Sequence, residues 1–122
     1  RLPFPDDYFD EIACYEVLEH IGRQGDWRGF FREFSEYWRV LKPNGLMCAS
    51  VPRWNSFWAF SDPGHTRVIT TGSLVFLSQR EYGEQVSVTR MTDYRSIWNK
   101  DFVTVYAEEQ GESLFFAIKA IK

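Results

Sequence analysis

Three chemically active side chains follow a short apolar segment near the start of the sequence. Residues 12–14 are Ile-Ala-Cys, and Glu16, Glu19 and His20 come soon after them. Consecutive apolar residues are typical of a parallel strand buried on both faces, and open α/β sheets bind ligands beyond the carboxyl ends of such strands. The sequence therefore predicts a ligand site here. A helix or turn start remains the alternative, because carboxylates are favoured near helix N-termini.

The elements that must position these side chains begin with a strand over residues 11–16 and a helix over about residues 27–41. Asp26 suits the N-cap of that helix, and Lys42-Pro-Asn-Gly45 suits its end, because proline cannot continue a helix and Asn-Gly forms a turn. Large apolar residues recur between them at steps of three and four, which is typical of an amphipathic helix: Trp27, Phe30, Phe31, Phe34, Trp38 and Leu41.

A second apolar strand is predicted over residues 46–51, where Pro52 ends it. Together with the helix before it, this strand completes a strand–helix–strand unit. Such a unit implies two parallel neighbouring strands joined by a right-handed crossover.

The rest of the chain combines a shorter helix with further β-structure. Residues 72–80 predict the helix, which Gly83 would end. An alternating pattern resumes from residue 85, and two β-rich runs flank Gln110-Gly-Glu112. These runs predict an antiparallel C-terminal hairpin. The expected fold class is therefore α/β.

The composition indicates one folded domain over residues 1–122. The chain is 44% hydrophobic and 18% aromatic, and its net charge of -3 argues against a nucleic-acid-binding surface as a whole. No apolar run approaches the roughly 20 residues of a membrane span. Cys14 and Cys48 lie in predicted strands, either as reduced small hydrophobes or, alternatively, as a disulfide between neighbouring strands. We expect a cytoplasmic protein.

Three stretches of sequence carry a resemblance to a known family. They are residues 2–12 (LPFPDDYFDEI), 16–20 (EVLEH) and 38–46 (WRVLKPNGL). In their order and spacing, the chain resembles the C-terminal half of a class I S-adenosylmethionine-dependent methyltransferase of the type 11/12 kind. The resemblance implies a partial Rossmann-like sheet, in which strands 11–16 and 46–51 are the fourth and fifth of seven.

The same resemblance implies S-adenosylmethionine as the cofactor and methyl transfer as the reaction. It places Tyr15, Glu16 and Val17 near the methionine part of the cofactor. It also places the loop over residues 3–7, with Phe4, near the adenine. The acceptor would be a small molecule, which we favour, or an RNA end.

One part of the family pattern is absent from the sequence. The glycine-rich loop, roughly Gly-x-Gly-x-Gly, has no counterpart among the glycines at 22, 25, 29, 45, 64, 72, 83 and 111. We interpret the chain as a fragment, the substrate-side half of a methyltransferase domain, which by itself binds the cofactor weakly or not at all and is inactive. The alternative is a non-catalytic remnant that acts in assembly. In either case we expect a homo-oligomer through residues 11–17 or pairing with the missing N-terminal half.

A metal site is implied by a closer resemblance within the family. Glu16, Glu19, His20 and His65 are similar to the divalent-metal ligands of some small-RNA 3′-end and quinone-ring methyltransferases. Mg²⁺ or Mn²⁺ would suit such ligands and would activate an acceptor hydroxyl. The alternative is that these residues shape the pocket without a metal. His65 could then be a general base, and His20 is the second catalytic candidate.

An aromatic-rich loop follows the second strand. Trp54, Phe57 and Trp58 are the candidates for the substrate pocket, as a lid at the carboxyl end of the strand, and core filling is the alternative. Arg53 and Arg67 could neutralise an anionic substrate group, or they could be solvated surface residues.

Overall fold

The computed structural model describes residues 1–122, and its backbone is organised around one four-stranded sheet. The strands are β1 (Phe9–Tyr15), β2 (Leu41–Pro52), β3 (Phe102–Gln110) and β4 (Ser113–Ala120). Their order in the sheet is β1-β2-β4-β3. β1 is parallel to β2, whereas β4 is antiparallel to both β2 and β3. The predicted parallel pair and C-terminal hairpin are therefore confirmed.

The helix α1 (Trp27–Val40) connects β1 to β2, close to the predicted bounds of 27–41. The Asp26 side chain caps it by accepting a hydrogen bond from the Gly29 N–H at 3.0 Å. Its buried residues are Phe31, Phe34, Tyr37 and Val40, and the three aromatic side chains among them enter the main core.

β2 begins earlier than the predicted residue 46. Phe9 pairs with Leu41 and Glu11 with Leu46, so residues 42–45 bulge out of the ladder. Asn44 there has a φ of 66°, a left-handed conformation that asparagine tolerates. The helix ends before this bulge because Leu41 already has extended backbone angles.

The helix predicted over residues 72–80 is wrong in its extent. The structure contains two short helices instead, α3 (Thr71–Val75) and α4 (Gln79–Gln85), after an earlier short helix α2 (Phe57–Ser61). Ser78 separates α3 from α4, because its backbone is extended and its side chain caps α4 by accepting from the Glu81 N–H. Gly83 therefore lies within α4 and does not end a helix.

The alternating pattern after residue 85 does not form a strand. Val88 is 80% exposed, and the N–H groups of Val88 and Thr89 both donate to the Gln85 carbonyl. These local hydrogen bonds fold residues 85–89 into turns, and no neighbouring strand is present to pair with them.

β1 is covered on one face only, so the prediction that it is buried on both faces is wrong. Ile12 and Cys14 are half-buried against the core, whereas Ala13 and Tyr15 are exposed. Cys48 pairs with Ala13, and Cys14 with Ala49, which places the two thiols on opposite faces of the sheet. Both are free, so the disulfide alternative is excluded, and burial raises the pKa of each thiol.

None of the helices combines the length and apolar character that crossing a membrane requires.

Candidate functional site

Glu16 joins three strands at the carboxyl end of β1. Its φ of 57° is left-handed, which is uncommon for a residue with a side chain. Its N–H donates to the Ser50 carbonyl at 2.9 Å, and its Oε1 accepts from Ser50 Oγ at 3.1 Å and from Ser113 Oγ at 3.2 Å. These contacts to the ends of β2 and β4 hold Glu16 in a conformation that the backbone alone disfavours.

A single 3₁₀ turn over Leu18–His20 carries the next two candidates, Glu19 and His20. The Thr66 N–H donates to the Glu19 carbonyl at 2.8 Å, so the turn is tied to the loop that follows α2. The same loop contributes His65, whose ring lies edge-on to that of His20 with centroids 4.7 Å apart. One ligand atom from each of Glu19, His20 and His65 lies within 4.8 Å of the other two.

The two histidines have the same tautomer. His20 Nδ1 lies 3.0 Å from the Gly64 carbonyl oxygen, and His65 Nδ1 lies 2.7 Å from the Trp58 carbonyl oxygen. Because a carbonyl oxygen only accepts, each Nδ1 carries a hydrogen in these contacts, and in the neutral form of the ring the lone pair is on Nε2. Histidines that bind metals are commonly held in this way.

The Glu19 carboxylate is buried without full compensation. The residue is 2% exposed, and its Oε1 has no hydrogen-bond partner. Burial, followed by the neighbouring Glu16, raises the pKa of the Glu19 carboxyl. A buried carboxylate with two imidazole rings beside it, each offering a ligand atom within 4.8 Å, is a donor set that suits a small divalent cation, so these residues fit such an ion.

Arg67 and Glu33 support the turn from below. Arg67 Nε donates to the Leu18 carbonyl at 2.8 Å, and its two Nη groups donate to the Glu33 carboxylate at 2.8 and 2.9 Å. The Tyr37 hydroxyl donates to Glu33 Oε2 at 2.7 Å, and burial together with Glu33 raises the pKa of Tyr37. Arg67 is therefore neither a solvated residue nor free to bind a substrate anion, which corrects both expectations for it.

The structure separates the cofactor candidates into two groups. Tyr15 and Val17 flank Glu16 with exposed side chains. Phe4 contacts Tyr8 and Phe9 at the opposite end of β1, with ring centroids 5.7 and 4.8 Å apart. Since Phe9 and Tyr15 are the two ends of β1, about 20 Å of strand lies between these groups.

The aromatic candidates of the substrate pocket lie at the surface. Trp54, Phe57 and Trp58 are each more than half exposed, so the alternative of core filling is excluded. Phe57 and Trp58 begin α2, and the Trp58 carbonyl accepts from His65, so α2 is coupled to the histidine pair. Of the three, Trp54 lines a cavity of about 440 Å³.

A larger cavity of about 630 Å³ lies elsewhere, between the start of α1 and the segment around α3 and α4. It is lined by aromatic side chains that include Trp27, Phe31 and Tyr94, and Arg67 is the one predicted site residue that borders it.

Sequence reasoning missed the partners that hold the site together. Ser50, Ser113 and Glu33 are remote in sequence from the side chains they contact, and Ser113 lies 97 residues from Glu16. No local pattern could have identified these contacts.

Comparison with known proteins gives consistent matches. A family model described as "Methyltransferase domain" matches residues 1–49. A probable S-adenosylmethionine-dependent methyltransferase of Mycolicibacterium smegmatis is 32% identical over 81 residues, which is 63% of this chain and 29% of the relative. The chain therefore spans less than a third of that relative's length.

Two solved structures have the same fold. A SAM-dependent methyltransferase of Methanosarcina mazei superposes on 99% of this chain with a TM-score of 0.60 and 18% identity, over 63% of its own length. A SAM-dependent methyltransferase of Archaeoglobus fulgidus superposes on 95% of this chain with a TM-score of 0.56 and 15% identity, over 61% of its own length. These matches agree with the resemblance stated from the sequence: the chain is similar to S-adenosylmethionine-dependent methyltransferases over part of their length and has the Rossmann-like α/β fold.

Proposed function

We propose that this protein transfers a methyl group from S-adenosylmethionine to a small molecule, and that the chain supplies the acceptor side of the site. The observation that supports this best is the arrangement at the carboxyl end of β1. Ser50 and Ser113, from the ends of β2 and β4, fix Glu16 by hydrogen bonds. Glu19, His20 and His65 form a cluster in the segments that follow β1 and α2. The carboxyl end of a parallel strand is where this class of sheet binds ligands.

The reaction needs alignment above all. The acceptor atom attacks the methyl carbon in line with the sulfonium, the sulfur keeps the electron pair, and the acceptor loses a proton. When no cation is bound, the neutral ring of His20 or His65 can take that proton at Nε2, because each Nδ1 faces a carbonyl oxygen. Tyr15 and Val17 offer exposed surface to the cofactor on either side of Glu16.

A divalent cation, Mg²⁺ or Mn²⁺, is part of the proposal. Glu19, His20 and His65 would hold it, while the Glu16 Oε1 is engaged by two serine hydroxyls. When bound, it would supply Lewis-acid polarisation of an acceptor hydroxyl. The unpartnered Oε1 of Glu19 supports this, since a cation would compensate a buried charge.

Mn²⁺ binding tests the metal part directly on the 122-residue chain, by electron paramagnetic resonance of the free ion. We expect Glu19→Gln to weaken Mn²⁺ binding at least tenfold, since an amide replaces the charged ligand. Glu81→Gln is the matched control, because Glu81 is exposed on α4 and far from the cluster in sequence. Equal Mn²⁺ affinity in wild type and Glu19→Gln would contradict the metal assignment.

Cofactor binding tests the activity class. We expect saturation-transfer NMR to detect weak S-adenosylmethionine binding, weaker than micromolar because the chain has no glycine-rich loop, and Tyr15→Ala to reduce the transferred signal. Tyr106→Ala removes a similarly exposed tyrosine from β3 and should change nothing. An absent signal, or one insensitive to Tyr15→Ala, would overturn the proposed cofactor contact.

Assembly is a second candidate function, supported by the open edge of β1. β1 is the terminal strand of the sheet, so one row of its backbone groups has no strand partner, and Tyr15 beside it is exposed. We propose that this edge pairs with a second copy of the chain. Light scattering should give a dimer for wild type and a monomer for Ala13→Lys, whereas a monomeric wild type would refute the pairing. The proposed compartment is the cytoplasm, which the two free thiols support.

A further inference from the structure

The cavity of about 440 Å³ lies at the same edge of the sheet as the proposed methyl-transfer site. It lies where β2 ends, and its lining combines charged, hydroxyl and apolar side chains: Arg53, Trp54, Ile69, Thr70, Thr71, Glu109 and Leu114. β2 is parallel to β1, and Tyr15 lies opposite Ser50, three residues before Arg53. The carboxyl ends of the two strands therefore lie side by side, and a ligand in the cavity would lie near the carboxyl end of β1.

Arg53 is the unusual member of this lining. Its side chain is 33% exposed, and its Nε is buried without a hydrogen-bond partner. The nearest carboxylate oxygen, Glu109 Oε2, lies 3.8 Å from Nη1, which is too far for a hydrogen bond. A guanidinium that is two-thirds buried normally has its donors satisfied, as those of Arg67 are.

The backbone of Arg53 is fixed on both sides. Its N–H donates to the Glu112 carbonyl at 3.0 Å, and its own carbonyl accepts from the Ser56 N–H at 2.9 Å. Ser56 Oγ in turn donates to Glu112 Oε2 at 2.6 Å. The guanidinium is therefore presented from a rigid corner between β2 and the hairpin, with donor capacity that the protein itself does not use.

We propose that Arg53 binds an anionic oxygen group of the methyl acceptor, a carboxylate or a phosphate monoester, while the acceptor's apolar body lies against Trp54, Ile69 and Leu114. The planar guanidinium matches both oxygen groups with paired hydrogen bonds. The cavity volume suits a small molecule. This inference rests on the proposed function only in identifying the bound anion as the methyl acceptor.

The charge of Glu109 should lower the affinity of the cavity for an anion. Its side chain is 46% exposed and its Oε2 lies 3.8 Å from Arg53 Nη1, so it attracts the guanidinium weakly and repels an incoming anion. Removing its charge should therefore strengthen anion binding, whereas removing the charge of Arg53 should weaken it. A purely structural role for this pair would not give opposite signs.

The test uses the 122-residue chain and three probes of similar shape: benzoate, phenyl phosphate and the neutral benzamide. Binding is followed through the Trp54 indole N–H resonance, which Trp54→Phe identifies by its loss. We expect benzoate or phenyl phosphate to shift this resonance and benzamide to leave it unchanged. The tighter of the two anions distinguishes a carboxylate acceptor from a phosphate one.

Variants then separate charge from fold. Arg53→Met should weaken binding of the preferred anion at least tenfold, Arg53→Lys should weaken it less, and Glu109→Gln should strengthen it by about threefold. Arg80→Met removes an exposed arginine from α4 and should change nothing. If Arg53→Met fails to fold, the other two variants still test the proposal, because Arg53→Lys should lower the anion affinity and Glu109→Gln should raise it. Equal binding of benzamide, or unchanged binding in Arg53→Lys together with Glu109→Gln, would overturn the proposal.

The outcome is independent of methyl transfer. Anion binding that depends on Arg53, in a chain whose cofactor signal is absent or insensitive to Tyr15→Ala, would keep the anion site and refute the proposed cofactor contact. Cofactor binding that depends on Tyr15, without anion binding that depends on Arg53, would keep the cofactor contact and refute the anion site.

Discussion

Arg67 and Glu33 form a bidentate ion pair beneath the turn that carries Glu19, with side chains only 5% and 12% exposed. Because Arg67 also donates to the Leu18 carbonyl, the pair connects α1 to the backbone of the site. Two buried charges are tolerated here because the hydrogen bonds from Arg67 and Tyr37 satisfy the carboxylate.

Breaking this pair should destabilise the fold. We expect Glu33→Gln or Arg67→Met to lower the free energy of unfolding by about 3–5 kcal/mol, since each leaves the other charge buried and unpaired. The double variant should lose clearly less than the sum of the two. Urea denaturation provides the measurement, and Arg80→Met, at an exposed pair, should cost less than about 1 kcal/mol. Additive losses would contradict the coupling.

The contact between Glu36 and Arg39 predicts a loss of stability in acid. Hydrogen bonds from Arg39 lower the pKa of Glu36 from its ordinary value of 4.5 to about 2. Its folded pKa lies below its unfolded one, so its contribution to stability is fully present above about pH 4.5 and is lost as the pH falls through about 2. The unfolding free energy of Glu36→Gln should therefore depend less on pH across this window than that of wild type.

Urea midpoints at several acidic pH values measure that difference. Arg39→Met should reduce the slope in the same way, because it removes the group that lowers the pKa of Glu36. Arg80→Met should keep the wild-type slope. Equal slopes in Glu36→Gln and wild type would show that Glu36 does not contribute to the acid sensitivity.

Asp26 and Gly29 should be coupled at the start of α1. A methyl group at Gly29 would overlap the Asp26 carboxylate that caps the helix. Gly29→Ala should therefore gain about 1 kcal/mol of helix propensity and lose a similar amount of capping, for a net change near zero. In an Asp26→Ala background the same substitution should stabilise by about 1 kcal/mol. Thermal unfolding of the four proteins measures the coupling, and equal effects in both backgrounds would refute it.

Trp98 should be the most sensitive core position near the hairpin. It is 1% exposed, its Nε1–H donates to the Leu77 carbonyl at 3.1 Å, and its ring stacks on that of Phe102. We expect Trp98→Ala to cost about 3–5 kcal/mol, and Trp98→Phe less, because the second keeps most of the apolar volume. Ile97→Ala, at a half-exposed neighbour, should cost less than about 1 kcal/mol. Similar losses at residues 97 and 98 would contradict this view of the core.

The parts of the fold that depend on residues close together in the sequence were predictable. α1 follows from the Asp26 cap and the apolar steps after it, and the hairpin follows from Gly111, whose φ of 58° the turn requires. The helix over 72–80 was wrong because the Ser78 cap divides it, and capping by one serine is easily hidden in a continuous apolar pattern.

The site was predictable only in outline. The EVLEH segment and His65 indicated the cluster, and the structure brings Glu19, His20 and His65 together. Glu16 was predicted as a fourth member but is not part of this cluster. Its carboxylate accepts from Ser50 and Ser113, which belong to other strands, so its position could not be predicted from local sequence. The burial of Arg67 likewise depends on Glu33, 34 residues away, so sequence spacing carried no sign of it.

β4 is the last strand in the chain, yet it lies between β2 and β3 in the sheet. The hydrogen bond from Ser113 to Glu16 closes a loop of 97 residues, so it cannot form until this strand has inserted. Contacts of such long range are slow to form, whereas α1 depends on neighbouring residues and forms early. During refolding, ligand binding at the carboxyl end of β1 should therefore recover later than helical structure, and the site is completed in the final stage of folding.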